Sequence, residues 1–465
     1  MAIIKPFRPL KPKSKFAGSV AAPPYDSVSL KEAREILWKN PHSFISVLKP
    51  EVNVAPYTRD ETLIYGEARA LLAEYLEKGI FYREKVPSLY IYRESYQGKS
   101  QCGVVGLFSC EEFWSGGIAR TEETKSAELS GRIKWIDNLG VQAGPVFLIH
   151  RESFRLRNLL KRIIKSAPEY DFFTDDAVRH TVFRISEPAL IERIQNLFLR
   201  IPRLYIADGN HRTMAACTRE RSGYFLGAAV SAKDARTAPY SRLVKFPEAF
   251  LKSGTSFIDA LSEYFGVFET PLTETIAPEG LLYKKGSGRS GSGAFHALSR
   301  KFFGHGQFSA KKVSANKVFS VFPPFSEKRD FVAYYQGKRY ELSLKKALYP
   351  RYAGIPGVSI LDEVVFRNIL QIENKEQFVS YVSGARGESF LKEVTARGLF
   401  DAALLPRSIP PAAVMRFADS GRVLPPKSVW FYPKFRSGLF LNPLKDFSSL
   451  LEKGQDSEGG YTIWL

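Results

Sequence analysis

Cysteine and long apolar runs are scarce in this chain. Its 465 residues include only three cysteines, which form neither a CxxC pair nor an even set. A disulfide framework and a cysteine zinc site are therefore not expected. No stretch reaches the ~18 consecutive apolar residues that a membrane-spanning helix needs, and the N-terminal apolar run is too short for a secretory signal. These absences predict a cytoplasmic protein with no membrane contact.

Two common site motifs are also missing. The phosphate-binding pattern GxxxxGK[ST] does not occur, which excludes a P-loop nucleotide hydrolase. Histidine is rare, and no HExxH spacing links any two histidines. We therefore expect no metal cage at His42, His150, His180, His296 or His305.

Positive charge is abundant but unevenly distributed. The net charge is +19, which in general favours polyanionic partners such as nucleic acid. Residues 284–329 contain ten lysines and arginines against one acid, Glu327, so roughly half of the excess lies there. This segment is rich in Gly and Ser, which predicts a basic flexible insertion. Its phenylalanines could stack on bases, but a solvated loop is the preferred interpretation, and nucleic acid is not the expected partner.

Strand-like and helical segments alternate along the first half of the chain. Two apolar runs around Gly98 predict a β-hairpin, and a buried strand at about 204–206 is followed by a helical pattern. Such alternation is typical of an α/β domain whose sheet has helices on at least one face. We predict a mixed α/β fold, with an α/β domain over 1–245 and an α+β domain over 246–465.

The stretch DGNHR follows the predicted strand and begins the helix. Asp208 lies at the carboxyl end of the strand, where α/β folds bind ligands. Gly209 permits close approach of the backbone, and the Asn210 amide lies beside it. His211 can transfer a proton near neutral pH, and Arg212 can bind phosphate or carboxylate. The pattern indicates an anion site with an acid/base pair; the alternative is an aspartate that caps the helix beside a packed histidine.

A second polar cluster precedes a helical pattern after the hairpin. Glu122 lies between Thr121 and Thr124, and Arg132 follows within the next apolar pattern. A carboxylate flanked by hydroxyls suits a general base acting on an alcohol, or metal ligation. A solvated charged loop is the alternative.

A third cluster lies near the C-terminus, in PPKSVWFYPKFRSG. Two prolines precede Lys427 and Ser428, and Lys434 follows a group of aromatic residues. This segment can place a lysine and a hydroxyl beside an anion, or it can be an edge strand whose lysines extend to solvent.

Several of these segments together resemble the domain-of-unknown-function 1015 family. The resemblance includes IIKPFRPLKPK, VAAPPYDSVS, AGPVFLI, LYIADGNHR and VLPPKSVWFYPKFRSGLF. The DG-x-HR signature is also similar to that of the ParB-like fold that includes the free-serine kinases. This similarity implies a ParB-like N-terminal domain in which Asp208, His211 and Arg212 handle nucleotide phosphates. The chain departs from its relatives at Gly131, where many have an acid, and at Ser241, where Asn or His is common.

Together, the clusters and the resemblance predict a small-molecule phosphotransferase that uses Mg²⁺ and ATP or ADP. The acceptor would be a free hydroxy amino acid such as serine, with Glu122 as the general base. Asp208 would hold Mg²⁺ or orient His211. The expected ligand-binding residues are Gly209, Asn210, Arg212, Arg132, Lys427, Ser428 and Lys434. This site requires the C-terminal strand segment to pack back toward the first domain.

Three other functions remain open at this point. Water in place of the alcohol would make the same site a phosphate-ester hydrolase. A nucleotide-responsive DNA-binding or clamp protein of the ParB type would need a helix-turn-helix module, for which the sequence gives no signal. A non-catalytic relative is the third. The sequence leaves the oligomeric state open.

Overall fold

A computed structural model describes residues 1–124, 126–220, 223–271, 330–352, 354–445 and 447–452. The chain divides into two compact units, Met1–Tyr240 together with the segment that begins at Ile409, and Ser241–Ser408. The segment from 409 onward thus belongs to the first unit, whereas the sequence analysis assigns it to a second domain. The predicted basic insertion at 284–329 lies outside the described residues. Within the described ranges, no helix is both long and apolar enough to cross a membrane.

The strands are numbered here in chain order. They are β1 (Ile4–Lys5), β2 (Leu10–Pro12), β3 (Phe81–Arg83), β4 (Leu89–Tyr96), β5 (Lys99–Ser109), β6 (Ile118–Ala119), β7 (Val141–Ala143), β8 (Val146–His150), β9 (Tyr170–Phe173), β10 (Arg179–Ile185), β11 (Leu204–Asp208), β12 (Tyr224–Ser231), β13 (Arg236–Ala238), β14 (Tyr240–Val244), β15 (Phe265–Thr270), β16 (Asp330–Tyr335), β17 (Lys338–Leu344), β18 (Val379–Ser383), β19 (Ala402–Pro406), β20 (Trp430–Tyr432) and β21 (Leu441–Pro443).

The α-helices are numbered in the same way. They are α1 (Ala17–Val20), α2 (Leu30–Lys39), α3 (Ile45–Leu48), α4 (Glu61–Glu77), α5 (Cys110–Trp114), α6 (Ser126–Leu139), α7 (Phe154–Ile163), α8 (Pro188–Phe198), α9 (Asn210–Arg219), α10 (Glu248–Lys252), α11 (Phe257–Tyr264), α12 (Gly357–Leu361), α13 (Lys375–Phe378), α14 (Gly387–Ala396), α15 (Pro411–Asp419) and α16 (Phe447–Glu452). A π-helical segment, Asp362–Ile369, directly follows α12.

A mixed nine-stranded sheet forms the centre of the first unit. Its order is β6-β11-β8-β12-β5-β4-β10-β9, and β1 pairs with β5 at the side. The pairs β6–β11 and β8–β12 are parallel, and the other pairs are antiparallel. The hairpin β4–β5 turns at Gln97 and Gly98, both with positive φ, as a tight hairpin turn requires. The predicted hairpin is therefore confirmed.

The two faces of this sheet are covered by different parts of the chain. Because side chains alternate along a strand, Ile91 of β4 contributes to one hydrophobic cluster and Tyr92 to another. The first cluster includes residues of α5, α7, α8 and α9. The second includes Val414 of α15 together with Phe431 and Phe435 from the C-terminal segment. The mixed α/β class is confirmed, and the C-terminal segment does pack back onto this sheet.

Smaller sheets complete the two units. In the first, β3-β2-β21-β7 form a four-stranded sheet beside a cluster of residues from α2, α3, α4 and α6, and β13 pairs with β20. In the second, a six-stranded sheet has the order β15-β17-β16-β19-β14-β18. Its core contains residues of α11, α12 and the π-helical segment.

Candidate active site

The DGNHR stretch connects β11 to α9. A β-bulge between Ile206 and Asp208 interrupts the pairing with β8 where the strand ends, and such bulges redirect side chains. Gly209 follows with φ +98°, a left-handed conformation that favours glycine, and a Cβ there would lie 3.0 Å from Arg212 Nη2. No side chain among the described residues caps α9. The N-terminus of a helix attracts anions through its N–H groups and its dipole.

Asp208 pairs with two cations instead of capping the helix. Its Oδ2 accepts from Arg212 Nη2 at 2.7 Å, and its Oδ1 accepts from Lys434 Nζ at 2.5 Å. Arg212 Nη1 also donates to the carbonyl oxygens of Gly144 and Pro145, at 3.2 and 2.8 Å. The side chain of Lys434 is only 7% exposed. Asp208 therefore holds one lysine and one arginine in place at the end of the strand.

Glu122 joins the C-terminal segment to the sheet. It follows β6, and the neighbouring Thr121 hydroxyl donates to the Ile206 carbonyl at 2.5 Å. Glu122 also forms a β-bridge with Leu424, and its Oε1 accepts from the backbone N–H of Lys427. Burial raises the pKa of Glu122 to about 7, although the Lys427 N–H and ammonium oppose this rise. A carboxyl group with a pKa near neutrality is suited to general-base catalysis.

A turn stabilised by Ser428 presents Lys427 beside Glu122. Lys427 has φ +60°, which is uncommon for a residue other than glycine. The buried Ser428 hydroxyl donates to the Pro425 carbonyl at 2.6 Å, so it stabilises the turn from inside. The ammonium group of Lys427 lies 5.5 Å from the centre of the Tyr240 ring. The ammonium group of Lys434 lies 4.1 Å from the Trp430 ring centre.

Helix α6 contributes the predicted residue Arg132 and also Glu128, which the sequence analysis does not select. Glu128 Oε2 lies 3.4 Å from Nδ1 of His211 on α9. Burial lowers the pKa of His211, while Glu128 opposes this effect. The Arg132 guanidinium lies 3.7 Å from the centre of the Tyr25 ring, and burial lowers its pKa.

Asp26 belongs to the same cluster, although sequence reasoning did not select it as a site residue. It lies in a short 3-10 turn, Tyr25–Ser27, and its side chain is accessible to solvent. Desolvation by the surrounding protein raises the pKa of Asp26, but the charges of Lys434, Arg212 and Lys427 outweigh it and hold the pKa well below its usual range. The available signal was the di-proline in AAPPYDSVS, which fixes the chain just before the aspartate.

Two buried polar atoms at the start of α9 lack partners. Arg212 Nε and Asn210 Oδ1 make no hydrogen bond to any described residue. Buried polar groups are nearly always satisfied by protein, water or ligand. A cavity of about 30 Å³, bordered by Tyr25, Arg132 and Arg212 among others, lies beside the Arg212 side chain. One water fits such a volume, so the unsatisfied Arg212 Nε indicates a position for a small polar group.

The residues do not form a protein cage for Mg²⁺. Both carboxylate oxygens of Asp208 accept from cations, and the described ranges contain no group of three or more His, Cys, Asp or Glu that could hold a metal. Mg²⁺ often binds through one or two carboxylates together with the phosphates of a substrate. Metal ligation by Asp208 therefore stays a prediction, and the geometry favours its role as a partner for cations.

The structure brings together residues from four distant parts of the sequence. The predicted residues Glu122, Asp208, Gly209, Asn210, His211, Arg212, Lys427 and Lys434 lie around the end of β11 and the start of α9. Arg132 stacks on the neighbouring Tyr25. Ser428 differs, because its hydroxyl is engaged inside the turn. Asp26, Glu128 and Tyr240 are additional members. Their roles in binding or catalysis stay predictions.

The chain is similar to one protein family and to several solved structures. The family model described as "Protein of unknown function (DUF1015)" matches residues 4–366. No curated protein matches. A conserved hypothetical protein from Pyrococcus furiosus is 11% identical, with a TM-score of 0.32 and coverage of 72% of this chain and 93% of that one.

Two further solved structures have similar sequence identity, TM-score and coverage. A free serine kinase in complex with AMP is 13% identical, with a TM-score of 0.34 and coverage of 74% and 93%. SbnI with a C-terminal truncation, from Staphylococcus aureus, is 9% identical, with a TM-score of 0.34 and coverage of 76% and 94%. At such low TM-scores these likenesses carry no argument about the chemistry of this chain.

Proposed function

We propose, for a chain that belongs to the DUF1015 family of proteins of unknown function, that its candidate active site transfers a phosphoryl group from a nucleotide to a small hydroxy amino acid such as free serine. The observation that carries this proposal is the position of Glu122 among Lys427, Lys434 and Asp208. The Glu122 carboxyl group has a pKa of about 7 and lies near the ammonium groups of Lys427 and Lys434. An aspartate that only caps a helix would not need these lysines. The identity of the acceptor rests on the resemblance of the DGNHR loop.

The cations and the helix start are suited to hold a nucleotide donor. Phosphoryl transfer depends mainly on positioning and on stabilising charge on the transferred group. Arg212, Lys427 and Lys434 supply positive charge, and the N-terminus of α9 adds the positive end of its helix dipole. ATP or ADP would bring the negative charge that these groups match, and Mg²⁺ would accompany its phosphates.

Glu122 would act as the base in the transfer. The acceptor hydroxyl gives its proton to the Glu122 carboxylate while its oxygen bonds to phosphorus. The bond from phosphorus to the bridging oxygen of the donor breaks, and the shortened nucleotide leaves with that electron pair. Arg132 would bind the carboxylate of the acceptor or a phosphate oxygen. His211, held by Glu128, would exchange protons at the edge of the site.

Phosphorus NMR of the full chain tests this proposal. The protein is incubated with Mg²⁺, L-serine and either ATP or ADP, beside the variants Glu122→Gln and Glu123→Gln. Glu122→Gln removes the base without changing size, whereas Glu123 is exposed and serves as the matched control. We expect phosphoserine from the wild type and from Glu123→Gln, and a loss of at least a hundredfold in Glu122→Gln, within the range that general-base catalysis contributes.

The same spectra separate the alternatives. Inorganic phosphate in place of phosphoserine, released with the same dependence on Glu122, would favour a phosphate-ester hydrolase. No turnover of either nucleotide by a folded wild-type protein would contradict the phosphotransferase proposal and favour a non-catalytic binding role.

A further inference from the structure

A groove between α7 and α8 is lined by four arginines. It encloses about 630 Å³, and its lining residues are Arg155, Asn158, Leu159, Arg162, Ala189, Glu192, Arg193, Asn196, Leu197 and Arg200. Both helical segments carry the same pattern, R-x-x-N-x-x-x-R, in which the second and third residues follow the first by three and seven positions. Such spacing places all three on one face of α7; in the second segment Arg193 and Asn196 share a face of α8, and Arg200 lies in the turn that follows it. Each helical segment therefore presents two arginines and one asparagine to a common groove.

The four arginines have no partner among the residues that the structure describes. None of Arg155, Arg162, Arg193 and Arg200 takes part in an ion pair or a side-chain hydrogen bond there, and all four are exposed. Arg157 provides a contrast on the same helix, because it pairs with Glu152 and Asp234. The lining contains one acid, Glu192, so its net charge is +3. Like charges gathered without counter-charges repel one another, and an anionic ligand would relieve that repulsion.

The size and lining of the groove restrict the class of ligand. Its volume lies in the range of small-molecule sites, roughly 300–1,000 Å³. Two arginines seven positions apart on a helix stand about 10 Å apart, so the ligand must spread its negative charge over a comparable length. Among the residues that the structure describes, no aromatic side chain lines the groove, whereas proteins that bind single-stranded nucleic acid usually stack its bases on aromatic residues. Leu159 and Leu197 are the only leucines in the lining, so the groove can contact only a small apolar group of a ligand.

We infer that this groove binds a compact ligand that carries several phosphate groups. Arginine guanidinium groups bind phosphate through two parallel hydrogen bonds, and the asparagine amides can donate to the remaining oxygens. Four arginines from two helices match a chain of phosphates better than a single phosphate ion.

The groove is separate from the candidate active site. Leu204 at the start of β11 pairs with His150, and α7 begins shortly after His150. Helix α8 leads directly into β11 at the same end. Asp208 lies at the opposite end of β11, roughly 13 Å along the strand. The inference therefore does not depend on the proposed phosphotransfer.

Calorimetric titration of the full chain with sodium tripolyphosphate tests the inference. The variant Arg155→Gln/Arg193→Gln removes one arginine from each helical segment. The control Lys161→Gln/Lys165→Gln removes the same net charge from exposed positions that do not line the groove. We expect affinity to fall at least tenfold in the arginine variant and less than twofold in the control. Circular dichroism establishes that both variants fold.

Because the candidate active site also carries cations, the difference between the two variants, rather than the wild-type affinity, isolates the groove. Equal losses in both variants would mean that tripolyphosphate responds only to net charge, which would overturn the inference. Absence of binding to the wild type would overturn it as well. Binding of a single-stranded oligonucleotide that depends on the arginines, without binding of tripolyphosphate, would identify a nucleic-acid site and refute the compact ligand.

Discussion

Glu94 is a buried carboxyl group behind the loop that carries Lys434, and its replacement by glutamine gives a quantitative prediction. Its side chain accepts a hydrogen bond from Gln101 Nε2 at 2.7 Å, and the same Nε2 donates to the Pro433 carbonyl at 2.9 Å. The other carboxyl oxygen, Oε1, has no hydrogen-bond partner among the described residues and lies 3.6 Å from His180 Nδ1. The Glu94 carboxylate therefore loses its hydration on folding and gains few hydrogen bonds in return.

Burial raises the pKa of Glu94 from 4.5 to about 8. Between these values the folded chain keeps a proton that the unfolded chain has lost, so a rise in pH lowers the free energy of unfolding. The two pKa values give a loss of about 2 kcal/mol between pH 6 and pH 8. Glutamine has the shape of a protonated glutamate but does not titrate. The variant Glu94→Gln should therefore gain about 2 kcal/mol relative to the wild type over this interval.

Urea unfolding followed by tryptophan fluorescence measures this difference. None of the five tryptophans lies within 241–408, so the signal reports on the first unit. His180 and the nearby Arg436 are present in both proteins. Their own ionisation therefore contributes to the free energy of unfolding of both proteins and largely cancels in the difference. Glu123→Gln replaces an exposed glutamate and serves as the matched control for the loss of one carboxyl group. A Glu94→Gln difference that is equal at both pH values would mean that Glu94 is ionised in the folded chain, and the reasoning would be wrong.

Three further predictions concern the candidate active site. Turnover should rise with pH through about 7, because only the ionised Glu122 accepts a proton; kcat/KM profiles of the wild type should show this rise, and those of Glu122→Gln should not. Lys434→Met should lower the free energy of unfolding by about 3 kcal/mol, because Asp208 loses a buried partner; urea unfolding should show partial recovery when Asp208→Asn is added. Gly131→Ala should raise the free energy of unfolding by about 1 kcal/mol, because the residue lies inside α6 and an added Cβ meets no atom within 4 Å; a lower thermal midpoint would contradict this.

Local features of the fold followed directly from the sequence. Helix α2 begins after Ser29, which forms a capping box with Glu32 three residues later. The strand, glycine and helix of the DGNHR stretch are β11, Gly209 and α9. In each case the signal comes from residues within a few positions of one another. Backbone preferences and capping bonds act over the same short distance, so a single sequence suffices to predict them.

Contacts between distant segments of the chain were harder to predict from the sequence. The pattern around Asp208 allowed a helix cap or an anion site, and the choice depends on Lys434, which lies 226 positions later. Glu122 and Lys427 are similarly far apart in the chain. These pairs form because Phe431 and Phe435 pack against the sheet of the first unit, and that burial is a property of the whole core. The sequence could therefore supply the candidate residues, whereas only packing decided which of them meet.

The electrostatics of the candidate active site connect ligand binding with the ionisation of Glu122. Without a ligand, the cations hold Asp26 ionised at neutral pH, whereas burial leaves Glu122 with a pKa of about 7. A bound phosphate would add negative charge beside Glu122 and would by itself raise this pKa further. Lys427 and Lys434 oppose that shift, because they already lower the pKa of Glu122. The lysines would therefore have two functions, since the same positive charge that attracts the donor also keeps Glu122 able to accept a proton once the donor is bound.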